Sequence, residues 1–340
     1  MGSMDKLGRC TLSARLGEIL RCTTCRAPLE AAADKFVCSL CNRRFPFLRG
    51  VYRFVEGQDY AASFGWQWQR YSTTQLDTMG AVSDEDFRKR TAIDPHELQG
   101  KLVLDVGCGM GRFAEVATRW GAQVIGVDLS SACEVAAENL SARDFAALQA
   151  DALKLPFAPE SFDYIYSIGV LHHTPDCEES FKNLPQYLKP GGTIAVWLYS
   201  SYNKWYRFSD FYRKLTRRMS PRFLHSVLRV AVPLFYWLDR GLRSIPLIGR
   251  RVAGLVHHVF PVNLSPDARL RLLDTFDWYS PRYQSKHTYE EVFRWFESCG
   301  LESLTVGELT LAVRGRKPNA GARNLAAAEE RHVSWELPTA

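Results

Sequence analysis

The chain has no hydrophobic stretch long enough to cross a bilayer. In its apolar second half the longest run without Asp, Glu, Lys or Arg is Val252 to Pro266, and two histidines, an asparagine and Pro261 break it. That is short of the ~20 apolar residues a spanning helix needs. Met1-Gly2-Ser3-Met4 lacks the basic and apolar regions of a secretory leader and reads as a vector-derived scar before a start at Met4. The expected location is therefore the cytoplasm. Low-complexity tracts are absent, and 340 residues with 46% apolar and 24% charged side chains can bury a sizeable core, which excludes a disordered or fibrous chain.

A disulfide framework is missing too. Of nine cysteines, five are scattered singly, while Cys22-Thr-Thr-Cys25 is followed by Cys38-Ser-Leu-Cys41. Each Cys-x-x-Cys turn brings two thiolates to one ion, and two such turns complete the tetrahedral shell of a structural Zn²⁺. Four thiolates leave no open position for water or substrate, so the expected metal folds a small ribbon, residues 20–56, and takes no part in catalysis. The module resembles the short zinc ribbons attached to some methyltransferases, which serve there as a platform.

The dinucleotide fingerprint G-x-G-x-x-G is also lacking. Leu102-Val103-Leu104-Asp105-Val106 reads as a strand, Gly107-Cys108-Gly109-Met110-Gly111 as a loop with single-residue gaps between glycines, and Arg112 to Thr118 as an amphipathic helix. A second strand, Gln123 to Val127, ends in Asp128, where a carboxylate can accept from ribose hydroxyls. Then follow Asp151-Ala152-Leu153, a strand ending in Ile168-Gly169-Val170-Leu171-His172-His173, and Leu188-Lys189-Pro190-Gly191-Gly192.

In that order these segments resemble class I S-adenosylmethionine-dependent methyltransferases of the type 11 branch, over residues 99–200. The resemblance implies an α/β fold with a seven-stranded Rossmann-like sheet and S-adenosylmethionine as cofactor. By matching position it implies that Gly107, Cys108 and Gly109 embrace the methionine part, with Asp105 at its ammonium group. Asp128, with Leu129 beside it, takes the ribose; Asp151, Ala152 and Leu153 hold the adenine; Ile168 closes the pocket. Cys108 reads as a small residue in a crowded turn, not a nucleophile. The aromatic segment Phe64 to Tyr71 falls in a helical linker, 57–98, and resembles the helices that fold over the cofactor, with Gln67, Trp68 and Tyr71 as lid candidates.

Methyl transfer from a sulfonium needs alignment and, for some acceptors, proton removal. His173, with His172 as second candidate, stands at the end of the fourth strand, where a neutral imidazole suits that task, although either ring could instead only pack. No catalytic metal is expected, because Gly169 and His172 occupy positions where carboxylates would be needed. His287 opens a helix capped by Thr288 and reads as structural. Leu301 to Thr305 and Leu309 to Val313 read as the closing strands, so 99–200 and 286–316 form the core and 317–340 a disordered tail.

Between the core segments lies an insertion, 201–285, in which acids are scarce. From Asn203 to Arg251 twelve Lys or Arg stand against Asp210 and Asp239, a balance of +10 in a chain whose total is +6. Apolar runs such as Val230 to Leu238 interleave with the charges, giving an amphipathic helical cap. Three uses follow: a lid over a hydrophobic or lipid-like anionic metabolite, peripheral contact with an anionic membrane, or a grip on RNA through Trp205, Tyr206, Phe211 and Tyr212. A cap that only packs, or an oligomer contact, is the plainer alternative. The apolar runs favour the metabolite as methyl acceptor at an O, N or C atom over an RNA base. A non-catalytic scaffold that keeps the cofactor pocket is the reading of another class.

Overall fold

The computed structural model describes residues 12–55, 60–74, 81–202 and 207–319. Trp205, Tyr206 and residues 320–340 of the expected tail lie outside these. The first part of the chain forms α1 (Leu12–Ile19), β1 (Leu29–Ala32), β2 (Lys35–Cys38), β3 (Arg44–Leu48) and β4 (Val51–Arg53), then α2 (Ala62–Arg70), α3 (Ala81–Thr91) and α4 (Pro95–Leu98). The middle alternates strand and helix: β5 (Leu102–Val106), α5 (Arg112–Arg119), β6 (Gln123–Asp128), α6 (Ala132–Asn139), β7 (Phe145–Gln149), β8 (Phe162–Ile168), α7 (Cys177–Lys182) and β9 (Leu188–Trp197). Four helices follow, α8 (Arg207–Thr216), α9 (Pro221–Arg243), α10 (Gly249–Val259) and α11 (Ala268–Tyr279). The chain closes with α12 (Tyr289–Ser298), β10 (Glu302–Val306) and β11 (Ala312–Arg316).

One sheet runs through the molecule in the order β1-β2-β3-β4-β7-β6-β5-β8-β9-β11-β10. From β7 to β9 all neighbours are parallel, and β11 enters antiparallel between β9 and β10. This is the seven-stranded Rossmann-like sheet expected. Every residue of β5 is buried, as a central parallel strand covered on both faces requires. The order reverses between β5 and β8, which opens a crevice at their carboxyl ends.

The cysteine-rich segment is not a separate bead. Its last strand, β4, pairs parallel with β7, Val51 opposite Ala147 and Arg53 opposite Gln149. Val51 is fully buried, Arg53 donates to Gln149 at 2.7 Å and pairs with Glu134 at 2.5 Å, and Arg26 donates to the carbonyls of Leu155 and Phe157. An apolar residue facing the core and arginines matched to core acceptors thus extend the sheet past its usual edge.

At the other edge, the last strand begins three residues later than the apolar pattern suggests, because Leu311 has φ +62° and the Ala312 amide donates to the Leu309 carbonyl, which makes 309–311 a turn. Lys317 is buried and donates to Glu160 and to the Leu188 carbonyl, so the packed chain continues past Arg316. The insertion is helical and has its own core of Leu224, Leu228, Val232, Val262, Phe276 and Tyr279. Among the described residues no helix is long and apolar enough to cross a membrane.

Candidate functional site

A cavity of about 460 Å³ opens at the carboxyl ends of β5, β6 and β8 and is roofed by α2 and α11. Its floor is the glycine loop after β5. Gly107 adopts φ +84°, and a Cβ there would lie 2.3 Å from both methyls of Val170, so conformation and space both demand glycine. Gly109 has φ +52° and donates its amide to Asp128 Oδ2 at 3.0 Å, while the Trp68 indole of α2 lies against it. Asp128 Oδ1 accepts from the amide and hydroxyl of Ser130 at 2.8 and 2.7 Å. Three of the roughly four acceptor positions of this carboxylate are thus filled. Burial raises its pKa.

Of the residues expected to hold the cofactor, Gln67, Gly107, Cys108, Gly109, Asp128, Leu129, Ala152 and Ile168 line the cavity. Asp105, Asp151, Leu153 and Tyr71 do not. The Asp105 carboxyl is buried and accepts from the Tyr166 hydroxyl at 3.1 Å, and burial, with Asp128 nearby, pushes it up to about 8. Asp151 accepts from the Leu153 amide at 2.9 Å, a turn that fixes its own loop and presents Ala150 and Ala152 to the cavity in place of the carboxylate. The Tyr71 hydroxyl shares a 2.9 Å hydrogen bond with His225 of α9 and ties lid to cap. Cys108 is buried, and its thiol is pushed well above the ordinary value by burial and the neighbouring acids, which keeps it protonated.

The two histidines separate. His173 lines the cavity. Its Nδ1 lies 3.0 Å from the Tyr283 carbonyl, which can only accept, so Nδ1 carries the proton and Nε2 the lone pair. Burial lowers its pKa to about 4. His172 does not line the cavity; it is fully buried, stacks on Tyr199 with ring centres 3.9 Å apart, and finds no hydrogen-bond partner for either ring nitrogen among the described residues. His287 lies outside the lining, held by Ser285 and Glu291.

The far half of the cavity holds residues that the motifs do not name. Asp274 and Asp277 of α11 face it together with Trp197, Tyr199, Leu273 and Trp278. Asp277 accepts from Gln67 Nε2 at 3.4 Å and from the Tyr199 hydroxyl at 3.3 Å, and burial, with Asp274 beside it, raises it to about 6. Burial raises Asp274 to about 6 as well. Arg90 and Arg112 reach the same space, but Asp86 pairs with both, at 2.9 and 3.1 Å. A signal for the acids was present: spaced three apart on a helix, they share one face amid Leu272, Leu273 and Phe276. None of the ten basic residues between Arg213 and Arg251, all among the described residues, lines the cavity.

On the opposite edge the sulfurs of Cys22, Cys25, Cys38 and Cys41 lie within 4.8 Å of one another. The pairs Cys22–Cys41 and Cys25–Cys38 are 3.6 and 3.3 Å apart, near the ~3.8 Å that zinc–sulfur bonds of ~2.3 Å impose on a tetrahedron. The backbone amides of Cys41 and Leu40 lower the Cys38 thiol to about 6, while the adjacent Cys38 sulfur raises Cys41 to about 12, so the cluster shares its protons and a metal must displace some of them.

A strand order that reverses at a glycine loop, with an acid ending the next strand and an enclosed cavity above, defines a nucleoside-binding Rossmann-like enzyme. The profile of the family described as "Methyltransferase domain" matches residues 104–196. The chain is 31% identical over 175 residues to the ubiquinone biosynthesis O-methyltransferase of Stutzerimonas stutzeri (strain A1501), covering 49% of this chain and 75% of that one. It is 37% identical over 105 residues to phosphoethanolamine N-methyltransferase 2 of Caenorhabditis elegans, covering 29% and 24% of the two chains. With methyltransferase GfsG of Streptomyces halstedii identity is 40% over 104 residues, 28% of this chain and 37% of that one. The chain belongs to the class I S-adenosylmethionine-dependent methyltransferases and is an enzyme of that kind.

The cavity fits that cofactor. The loop leaves no room for a Cβ at Gly107, apolar residues flank the Ala150–Ala152 end, and the buried Gln67 Oε1 has no partner among the described residues. When bound, S-adenosylmethionine supplies an activated methyl group on a sulfonium.

Proposed function

We propose that the enzyme methylates a small, largely hydrophobic acceptor held between the strand ends and α11, at an O, N or C atom. The observation that carries this reading is one cavity with two unlike halves. The glycine loop and Asp128 line one; His173, Asp274, Asp277 and a wall of Trp197, Tyr199 and Trp278 line the other. Gly107, Gly109, Asp128, Ala152 and Ile168 hold the cofactor, Gln67 and Trp68 cover it, and Asp105, bonded to Tyr166 behind the loop, supports the loop from there without touching the cofactor. His173 Nε2 is the base. His172 supports Tyr199 by stacking and takes no proton. The relatives, one named for O- and one for N-methylation, support acceptors of either atom.

The acceptor's polar end meets acids: Arg90 and Arg112 are already paired with Asp86, so an anionic group gains little there, whereas Asp277 offers an acceptor for a hydroxyl or amine proton. Cys22, Cys25, Cys38 and Cys41 hold one structural Zn²⁺. Incubation with labelled S-adenosylmethionine and, in parallel, an organic extract and total RNA tests the reading. Label is expected in the organic extract, absent with Asp128→Ala and strongly reduced with His173→Ala. Label in RNA alone would replace this reading with an RNA base methyltransferase, and label in neither pool with a cofactor-binding scaffold.

A further inference from the structure

The basic insertion is spent on the outside of the molecule. α9 buries Leu224, Leu228 and Val232 against the cap core, yet a second apolar stripe, Phe223, Val227, Val230, Leu234 and Trp237, faces solvent on the same helix. Its steps of four and three residues keep it on one face over four turns. Leu234 and Trp237 are each 66% exposed. The turn to α10 continues the surface with Ile248 and with Leu247, whose 98% exposure is more than any packing role would leave. Single exposed leucines are ordinary, but a contiguous ridge of this kind marks a contact surface.

The charges around the ridge identify what it meets. Arg222, Arg229 and Arg240 run along one flank of α9, and Arg243, Arg250 and Arg251 stand at the tip, all exposed. From Phe211 to Pro266 the sequence holds a single acid, Asp239, which is buried and bonded to Arg243 at 2.6 Å. A second copy related by a two-fold axis would set arginine rows against arginine rows with no acid between them. Nucleic acid would satisfy the arginines but leave a mostly aliphatic ridge without bases to stack on it. An anionic lipid surface satisfies both, with arginines at the headgroup level and aliphatic side chains and Trp237 in the acyl boundary.

We propose that the α9–α10 hairpin docks the enzyme, without spanning, on the surface of a bilayer containing anionic phospholipid. α11 packs on α9 and lines the cavity, so the lipid contact lies one helix layer from the acceptor half of the site. The proposal is independent of the catalytic reading, since docking is measured with no methyl donor present.

The experiment is co-sedimentation of the full chain with vesicles of phosphatidylcholine and of an equimolar phosphatidylcholine–phosphatidylglycerol mixture. Binding is expected to the anionic vesicles, weakened by salt, and weak or absent on the neutral ones. Trp237→Glu with Leu247→Glu should lower the partition coefficient by about tenfold or more. Arg250→Gln with Arg251→Gln, which removes two exposed charges and leaves the apolar ridge intact, should lower it several-fold. All variants are compared for melting temperature and cofactor binding, which should stay at the unsubstituted level. Equal binding to both vesicle types, or binding that neither pair of substitutions weakens, would overturn the proposal. So would a dimer in solution, or a complex with single-stranded RNA, that the Trp237/Leu247 variant abolishes while vesicle binding is unaffected.

Discussion

At the residue scale, the proposed base His173 and its cavity neighbour Asp277 are set apart by environment. His173 is buried with Nδ1 fixed by a backbone carbonyl and its pKa lowered to about 4, so it is already in its basic form throughout the neutral range. Protonation would remove that form only as pH falls through about 4. Asp277, raised to about 6, loses its charge earlier on the way down. With the acceptor that the organic pool yields, kcat/KM should therefore be level from neutral pH upward as far as these two groups govern it. It should fall below about 6 as Asp277 gains a proton. Asp277→Asn should lower turnover by about 10- to 100-fold, and combined with Asp274→Asn, which removes the other cavity acid raised to about 6, it should carry the acid limb toward the value of His173. An acid limb unchanged in the double variant would show that Asp277 does not hold the acceptor. At Gly107 the expectation is steric: Gly107→Ala meets Val170 and a φ of +84°, and should cost about 2–4 kcal/mol in denaturant unfolding. Val170→Ala removes the two methyls but keeps a Cβ at 2.7 Å, so it should restore only a part of this cost; full rescue, or none, would refute this expectation.

At the scale of elements, β4 decides how the cysteine module behaves. A ribbon on a tether would lose its metal without consequence for the core, but β4 lies in register beside β7, next to the loop that presents Ala150 and Ala152. Chelation, or Cys38→Ser, should therefore lower the melting temperature of the whole core and weaken cofactor binding. A structural zinc contributes about 10 kcal/mol or more in isolated fingers, and a sheet-bound ribbon should lose only part of that. Metal analysis should find about one Zn²⁺ per chain, and an unchanged core melting point after its removal would contradict the coupling.

The same strand shows what the sequence hid. Much of the parallel core was legible because β5 leads through a glycine turn into an amphipathic helix, β6 is an apolar run ending in Asp128, and β8 ends at the Gly169 turn; β7 carries no such mark, since no helix separates it from β8. The cysteine spacing was legible because chelation demands it. Nothing local in Val51-Tyr52-Arg53 says that its partner is a strand about a hundred residues away, since pairing depends on Arg53 finding Glu134 and Gln149. In the site, residues whose backbone position matters, such as Gly107 and Asp128, could be read from motifs. Asp151 and Tyr71 fall beside motif positions too, but their side chains turn into local hydrogen bonds that only the fold displays. The acids of α11 were missed because they lie in the insertion, where no shared motif directs attention and only the interruption of an apolar face marks them.

At the scale of the whole molecule the cavity lies between the sheet and the cap, and the cap has a hydrophobic core separate from those of the sheet. The sheet and ribbon share one hydrophobic cluster, and the cap has another built around Phe276, which is fully buried and packs against Trp66 of α2 and His225 of α9. Phe276 lies on α11 one residue before Asp277, so it holds the acid in place without lining the cavity. Phe276→Ala should destabilise the cap by about 3–5 kcal/mol while leaving the glycine loop and Asp128 untouched. Hydrogen exchange should then speed up in α9 and α11 but not in β5 or β6. Calorimetric titration should give a cofactor affinity within about threefold of the unsubstituted enzyme, with turnover lower by at least about tenfold because the acceptor half is no longer fixed. If cofactor affinity and turnover instead fell together, the two halves would be a single cooperative unit. The cap would then have to be counted as part of the cofactor site itself.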